Sequence, residues 1–293
     1  MSRSDDSAQS SRALAVLGSP IAHSKSPQLH AAAYGVLGLP WSYRAVEVVE
    51  GSLGAFLNTC DRSWRGLSLT MPLKREILPM MASRSELVSI VGAANTVLFD
   101  ENGSLHGFNT DVAGIVAAFA DHGVTVLENV QILGAGATAA SVLVAVAQLG
   151  AQRALISARD PERAVWLVSL AAGLGIELTI GSLDDPQRGD ALTAPSAVVS
   201  TLPGASENRM TYSQAVRESA TLLDVAYEPW PSELATAWAD VGGTVVSGLE
   251  MLLHQAIGQV RIFVTGQEGG ALSHEPEVIA AMRASVGLDL PTD

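Results

Sequence analysis

Gly134, Gly136 and Ala139 occupy the three fixed positions of a G-x-G-x-x-A pattern within VQILGAGATAASVLVAVAQL, residues 130–149. The apolar run before the glycines has the length of a buried strand. The Ala-rich run after them has no Pro and no charge and reads as a helix. In that setting the first glycine permits a tight turn, the second lets backbone approach a pyrophosphate, and the small third residue lets the helix pack on the strand. The helix N-terminus then offers free N–H groups and the positive end of its dipole to phosphates. An ordinary strand-to-helix turn is the alternative, but the spacing and flanks favour a dinucleotide site. No Lys-Ser or Lys-Thr follows, which excludes a P-loop.

Other residues with chemical potential cluster in the first half of the chain. Ser24 and Ser26 lie in GSPIAHSKSPQLH, next to a helix that Ser26 would cap with Pro27 at its first position. Two hydroxyls beside a helix N-terminus also make a carboxylate site, with Lys25 pointing away. Lys74 follows Met71-Pro72 at the start of a predicted helix over 73–81, where its charge opposes the dipole. A solvated surface lysine is the ordinary reading, and a functional one is the alternative. Asn95-Thr96 and Asn109-Thr110 flank a predicted hairpin with Asn102-Gly103 at its tip. Asp111 opens the next helix, where a first-turn carboxylate is favoured in any case. After the second strand of the glycine-turn unit, an NAD site calls for an acid on the ribose 2′-hydroxyl. The chain offers Ala158 and Arg159, then Asp160 before Pro161 as an N-cap. Arg159 and Arg163 together could clamp a 2′-phosphate; two solvated arginines are the alternative.

These residues need two α/β platforms. The chain has 293 residues, 48% hydrophobic and 16% charged, with a formal net charge of -13 and a pI near 4.8. That length suggests two domains, and the acidity argues against nucleic acid or anionic membrane as partner. Cys60 is the single cysteine, so no internal disulfide forms and a reducing, cytoplasmic setting is expected. No Cys/His cluster has metal-ligand spacing, and residues 1–12 read as a tail. Strands are predicted at 14–17, 41–49, 65–70, 130–133, 154–157, 177–180, 197–200, 222–225 and 245–246. Alternation of strands and helices implies a parallel, doubly wound sheet. Helices are expected over about 249–264 and 275–286.

Six blocks, in order from residue 18 to about 256, resemble the shikimate dehydrogenase family: SPIAHSKSPQLH, LTMPLK, GAANT, GFNTD, GAGATA and SGLEMLLHQA. Three places depart from its pattern. Ser68 replaces an Asn, ARD at 158–160 replaces N-R-T or N-R-S, and STLPG at 200–204 replaces N-x-T-x-x-G. The resemblance implies a two-domain α/β enzyme with the site in the cleft between domains. A substrate domain of residues 13–112 plus 249–286 would accompany a Rossmann-like NADP domain of 113–248, with flexible tails at 1–12 and 287–293. It implies NADP as cofactor and a reversible reduction of 3-dehydroshikimate to shikimate. Ser24, Ser26 and Tyr227 would hold the substrate carboxylate, and Thr70, Asn95, Asp111 and Gln255 its ring hydroxyls. Lys74, paired with Asp111, would be the acid/base. The cofactor would meet Gly134, Ala135, Gly136, Ala137, Thr138, Ala139, Ala158, Arg159, Arg163, Thr201 and Gly248, with Met251 near the nicotinamide. Partners would be small molecules, and a homodimer is compatible. The rivals are a quinate or quinate/shikimate dehydrogenase using NAD, a non-catalytic NADP sensor on the same fold, and a methylenetetrahydrofolate dehydrogenase.

Overall fold

The computed structural model describes residues 11–185, 195–204 and 210–288. The ends of the two expected tails, residues 1–10 and 289–293, lie outside them. Arg12 is already tied in, because its carbonyl accepts the Ser42 N–H at 2.9 Å. In chain order the first half contains β1 (Ala13–Gly18), α1 (Ser26–Val36), β2 (Ser42–Glu47), α2 (Leu53–Leu57), β3 (Trp64–Leu69), α3 (Leu73–Glu76), β4 (Ser83–Arg84), α4 (Glu86–Val91), β5 (Thr96–Phe99), β6 (Leu105–Phe108) and α5 (Asp111–Asp121). The second half contains β7 (Asn129–Leu133), α6 (Ala137–Gln148), β8 (Arg153–Ala158), α7 (Trp166–Gly173), β9 (Glu177–Ser182), β10 (Ala197–Ser200), α8 (Gln214–Ser219), β11 (Thr221–Asp224), α9 (Glu233–Ala239), β12 (Val245–Ser247), α10 (Gly248–Thr265) and α11 (Glu275–Ser285).

The chain divides into two compact units. One comprises 1–85, 94–108 and 259–293, the other 86–93 and 109–258. In sequence the boundary falls inside α10, and all of α5 counts with the second unit.

The first unit is built on a six-stranded sheet in the order β2-β1-β3-β5-β6-β4. β1 runs parallel to β2 and β3, and β5 runs antiparallel to β3 and β6. The carboxyl ends of β1 and β3 therefore share an edge with the amino end of β5. Gly66 on β3 has a packing reason: a Cβ there would sit 2.3 Å from the Phe263 ring of α10. The predicted helix over 73–81 is only the single turn α3, followed by a 3-10 turn at Leu78–Met80. Pro79 has no N–H to donate and its ring clashes with the preceding turn, so the helix cannot continue through it. A single turn carries little dipole, and the expected conflict with the Lys74 charge is correspondingly weak.

The core of this unit is partly polar. His30 on α1 is fully buried and stacks on Tyr43 of β2 at 3.9 Å between ring centroids. Its Nδ1 lies 3.0 Å from the Tyr34 hydroxyl and its Nε2 3.2 Å from Oε1 of Gln259 on α10. Ser68 donates to that same Oε1 at 2.8 Å and accepts the Tyr43 hydroxyl at 2.6 Å. Burial lowers the imidazole pKa from its ordinary 6.5 to about 3, so His30 is neutral throughout the physiological range.

The second unit carries a fully parallel six-stranded sheet in the order β12-β11-β10-β7-β8-β9. Counted from β7, that order is 6-5-4-1-2-3, the doubly wound dinucleotide-binding order, with the reversal between β7 and β10. α6 is apolar almost all round because it is enclosed. Ala139, Ala140, Val142, Leu143, Ala145 and Val146 are all fully buried in one cluster with the sheet, α5 and α7. Small residues bring α5 and α10 close: a Cβ on Gly114 would lie 2.9 Å from that of Gln255, and one on Gly258 3.1 Å from Thr110.

The buried imidazole sets a pH dependence. Its folded pKa lies below the unfolded value, so the unfolded chain takes up the proton first as pH falls through 6.5. Stability present at pH 7 is then lost by about 2 kcal/mol on reaching pH 5. Urea unfolding of wild type and His30→Gln at both pH values should show this drop in wild type and not in the variant.

Candidate functional site

One edge of the first unit's sheet gathers five of the expected substrate and catalytic residues. Ser24 and Ser26 lie on the loop and helix that follow β1, Thr70 and Lys74 follow β3, and Asn95 immediately precedes β5. Backbone bonds lock these segments together. Thr70 N–H donates to Leu17 at 2.9 Å, Ser19 N–H to Met71 at 3.0 Å, Leu69 N–H to Asn95 at 2.8 Å, and Ala94 N–H to Lys74 at 2.8 Å. Lys74 and Asn95 are buried, while Ser24 and Thr70 are half-buried.

The turn-making role expected of Ser26 falls to Ser24. Ser26 is the first residue of α1 rather than its cap, and no side chain caps that helix end. Ser24 supplies the turn instead, its hydroxyl accepting the Ser26 N–H at 3.3 Å. The Ser26 hydroxyl is buried and hydrogen-bonds Tyr43. Pro27 is thus the second helical residue, and Lys25 stands at the cap position.

In the second unit, Gly134 to Ala139 stand at the carboxyl end of β7, Ala158 and Arg159 at that of β8, and Thr201 just beyond β10. The glycine turn thus falls at the reversal point of the sheet, where doubly wound folds bind ligands. Gly134 has φ +102°, and a Cβ there would lie 2.4 Å from Oγ1 of Thr201. The Thr201 N–H and hydroxyl both bond the Leu133 carbonyl at 2.8 Å. Ala139 is fully buried under the turn. Gly136 differs from both: its φ is -85° and nothing in the protein lies within 4 Å of where its Cβ would be. Neither backbone conformation nor protein packing demands a glycine there, so the open space suits a ligand. Ala137 and Thr138 begin α6 above it, with Gly136 as N-cap making no side-chain bond. Trp166, which sequence reasoning passed over, donates its indole N–H to the Ala135 carbonyl at 3.4 Å and steadies the loop.

Arg159 and Arg163 are both exposed. Asp160 is a cap, as its position before Pro161 predicts, and accepts the Glu162 N–H at 3.2 Å. Gly248 is required by packing, since a Cβ would meet the Val225 carbonyl oxygen at 2.1 Å. Met251 is buried in the main core cluster. Asp111 is buried at the start of α5, where Asn109 Oδ1 accepts its N–H at 3.1 Å and that of Val112 at 3.4 Å. Asn109 also donates to the Ala93 carbonyl at 3.0 Å and to Ser141 at 3.3 Å, so the Asn-Thr pair before Asp111 is a scaffold for that helix end. Gln255 donates to the Leu252 carbonyl at 2.9 Å and accepts the Thr110 hydroxyl at 3.4 Å. Tyr227 lies half-buried in the segment after β11. Asp224 braces that segment by accepting Ser232 at 2.6 Å and the Ala226 N–H at 3.2 Å, and burial raises its carboxyl pKa. No group of metal-ligating side chains occurs among the described residues, and none of their helices is long and apolar enough to cross a membrane.

The two glycines should separate on mutation. Gly134→Ala is expected to lower unfolding free energy by about 1–3 kcal/mol, from the positive φ and the collision with Thr201. Gly136→Ala should cost no more than about 1 kcal/mol of stability but weaken dinucleotide binding roughly tenfold or more. Thermal unfolding and fluorescence titration distinguish these outcomes, and unchanged affinity in Gly136→Ala would refute the phosphate-facing assignment.

Comparison with known proteins agrees with this architecture. Residues 16–97 match the shikimate dehydrogenase substrate binding domain. A shikimate dehydrogenase (NADP(+)) of Desulfitobacterium hafniense is 33% identical over 248 residues, covering 83% of this chain and 89% of that protein. The chain also matches part of the pentafunctional AROM polypeptide of Lachancea thermotolerans at 32% identity, spanning 16% of that polypeptide's length. Among solved structures, a shikimate 5-dehydrogenase from Mycobacterium fortuitum superposes with a TM-score of 0.77 at 39% identity, covering 94% of this chain and 98% of that one. A Thermus thermophilus shikimate 5-dehydrogenase in complex with NADP(H) and shikimate gives a TM-score of 0.75 at 29% identity, covering 94% and 99%. With this identity over nearly the full length of free-standing relatives, and with the doubly wound order carrying its glycine turn at the reversal point, the chain belongs to the shikimate dehydrogenase family.

Proposed function

We propose that the protein catalyses the reversible NADPH-dependent reduction of 3-dehydroshikimate to shikimate, a step of aromatic amino-acid biosynthesis carried out in the cytoplasm. The observation that carries this reading is a pair of compact units with distinct equipment. The first presents Ser24, Thr70, Lys74 and Asn95 on one sheet edge, and the second has an open Gly136 at the start of α6. Its partners are the small-molecule substrate and NADP(H). A homodimer is the oligomeric state to test by light scattering.

NADPH supplies the hydride. The chain's own residues hold the reactants and move the proton. Gly134–Ala139 and the N–H groups of α6 receive the pyrophosphate. Arg159 and Arg163 receive the 2′-phosphate, and Ala158, Thr201, Gly248 and Met251 border the cofactor. Ser24, Ser26 and Tyr227 hold the substrate carboxylate. Thr70, Asn95, Asp111 and Gln255 hold its hydroxyls. As the ketone carbon gains hydride, negative charge develops on oxygen, and Lys74 gives that oxygen its proton. Asp111 orients the lysine and accepts a substrate hydroxyl. NAD-dependent quinate oxidation is disfavoured because Asp160, the nearest acid to the end of β8, is engaged as a cap.

Two measurements test the reading. NADP should be preferred over NAD roughly ten- to hundredfold, the worth of a charge-assisted bidentate contact. Arg159→Ala should erase most of that preference while leaving NAD kinetics nearly unchanged. Lys74→Ala should lower kcat by roughly a hundred- to ten-thousandfold with little change in KM. Asp111→Asn should lower kcat and raise KM together. NADPH binding, followed by fluorescence, should survive both. Near-normal kcat in Lys74→Ala would remove the lysine from the proton transfer.

A further inference from the structure

The buried polar chain of the first unit does more than fill a core. Gln259 Nε2 donates to the Asn95 carbonyl at 3.2 Å and to the Thr96 hydroxyl at 3.2 Å. The Thr96 hydroxyl in turn donates to Asn95 Oδ1 at 2.8 Å. Gln259, Thr96 and Asn95 are each no more than 2% exposed.

Counting protons fixes the direction of every bond. The Ser68 hydroxyl donates to Gln259 Oε1 at 2.8 Å, and His30 Nε2 lies 3.2 Å from the same oxygen. An amide oxygen only accepts, so neutral His30 carries its proton on Nε2 and receives the Tyr34 hydroxyl at Nδ1. Gln259 therefore cannot turn over. A flipped amide would set its oxygen against the Asn95 carbonyl, two acceptors facing each other with no proton between them. With Gln259 Nε2 facing Thr96, the Thr96 hydroxyl has one direction left for its hydrogen, toward Asn95 Oδ1. Asn95 is thereby held with its oxygen on Thr96 and its NH2 at the other end.

We propose that Thr96 is a positioning residue, oriented by Gln259, that fixes the Asn95 amide so that it presents its NH2 as a hydrogen-bond donor to an oxygen of the bound substrate. The proposal rests on the substrate-binding role given to Asn95 above. It makes the site selective for a hydroxyl or carbonyl oxygen that can accept, as against a ligand group at that place that can only donate. Ser68, the position where this chain departs from its family's Asn, belongs to the same relay.

Gln259→Leu would take a hydrogen-bond partner from four buried polar groups at once, so it tests folding rather than positioning. Thr96→Val and Thr96→Ser are the informative pair: valine keeps the shape and deletes the hydroxyl, while serine keeps the hydroxyl. With shikimate and NADP as substrates, Thr96→Val should raise the shikimate KM about tenfold, with kcat and the NADP KM changed less than about threefold. Thr96→Ser should stay within about threefold of wild type throughout. In the ligand-free protein, the Asn95 side-chain amide should give one sharp pair of 15N–1H resonances in wild type and Thr96→Ser, and a broadened or doubled pair in Thr96→Val. Equal kinetics for the two variants, or an unchanged Asn95 amide signal in Thr96→Val, would overturn the proposal. Absence of shikimate turnover in wild type would instead count against the function proposed above, while the amide signal would still decide the positioning role.

Discussion

The nucleotide-binding unit depends on how closely the chain leaving β7 can pass the chain leaving β10. At that point Gly134 turns with φ +102°, and Thr201 fills the space where any other residue would place its Cβ. The Thr201 hydroxyl and N–H then saturate the last carbonyl of β7, so the turn leaves no unpaired acceptor at its base. α6 can start immediately, and its buried Ala139 brings the helix down onto the sheet. The site at the reversal point is a consequence of this packing. Of the two glycines of this turn, Gly136 is the one left without a reason of its own inside the protein.

The first unit solves a different problem. Its site residues sit on loops and in the first turns of helices beyond the strand ends, and it holds them with buried hydrogen bonds. His30, Tyr34, Tyr43, Ser68, Thr96 and Gln259 form one saturated network behind that edge. Such a network is unforgiving, because a partly satisfied one costs more than an apolar core. In return it fixes side-chain orientation, including which end of an amide faces outward. The same logic recurs at Asn109, which satisfies the first N–H groups of α5 and so places Asp111.

The sequence by itself determined the class of fold, the glycine turn, most strand positions and the candidate residues. Those features are written in local periodicity and in residues whose conformational needs are intrinsic, such as Gly134 and Pro27. The cap at Asp160 was legible for the same reason. The length of the helix at Leu73 was misread because the apolar pattern continues past Pro79, which the backbone cannot follow. Tertiary structure alone decided that Ser24 rather than Ser26 makes the turn, and that Gly248 is a packing residue held against Val225. It alone showed the buried relay: His30 and Gln259 stand 229 positions apart, and Ser68 and Gln259 stand 191 apart. No pattern along a chain records such pairs, because a hydrogen bond needs two groups at the right distance and angle, and only folding supplies them.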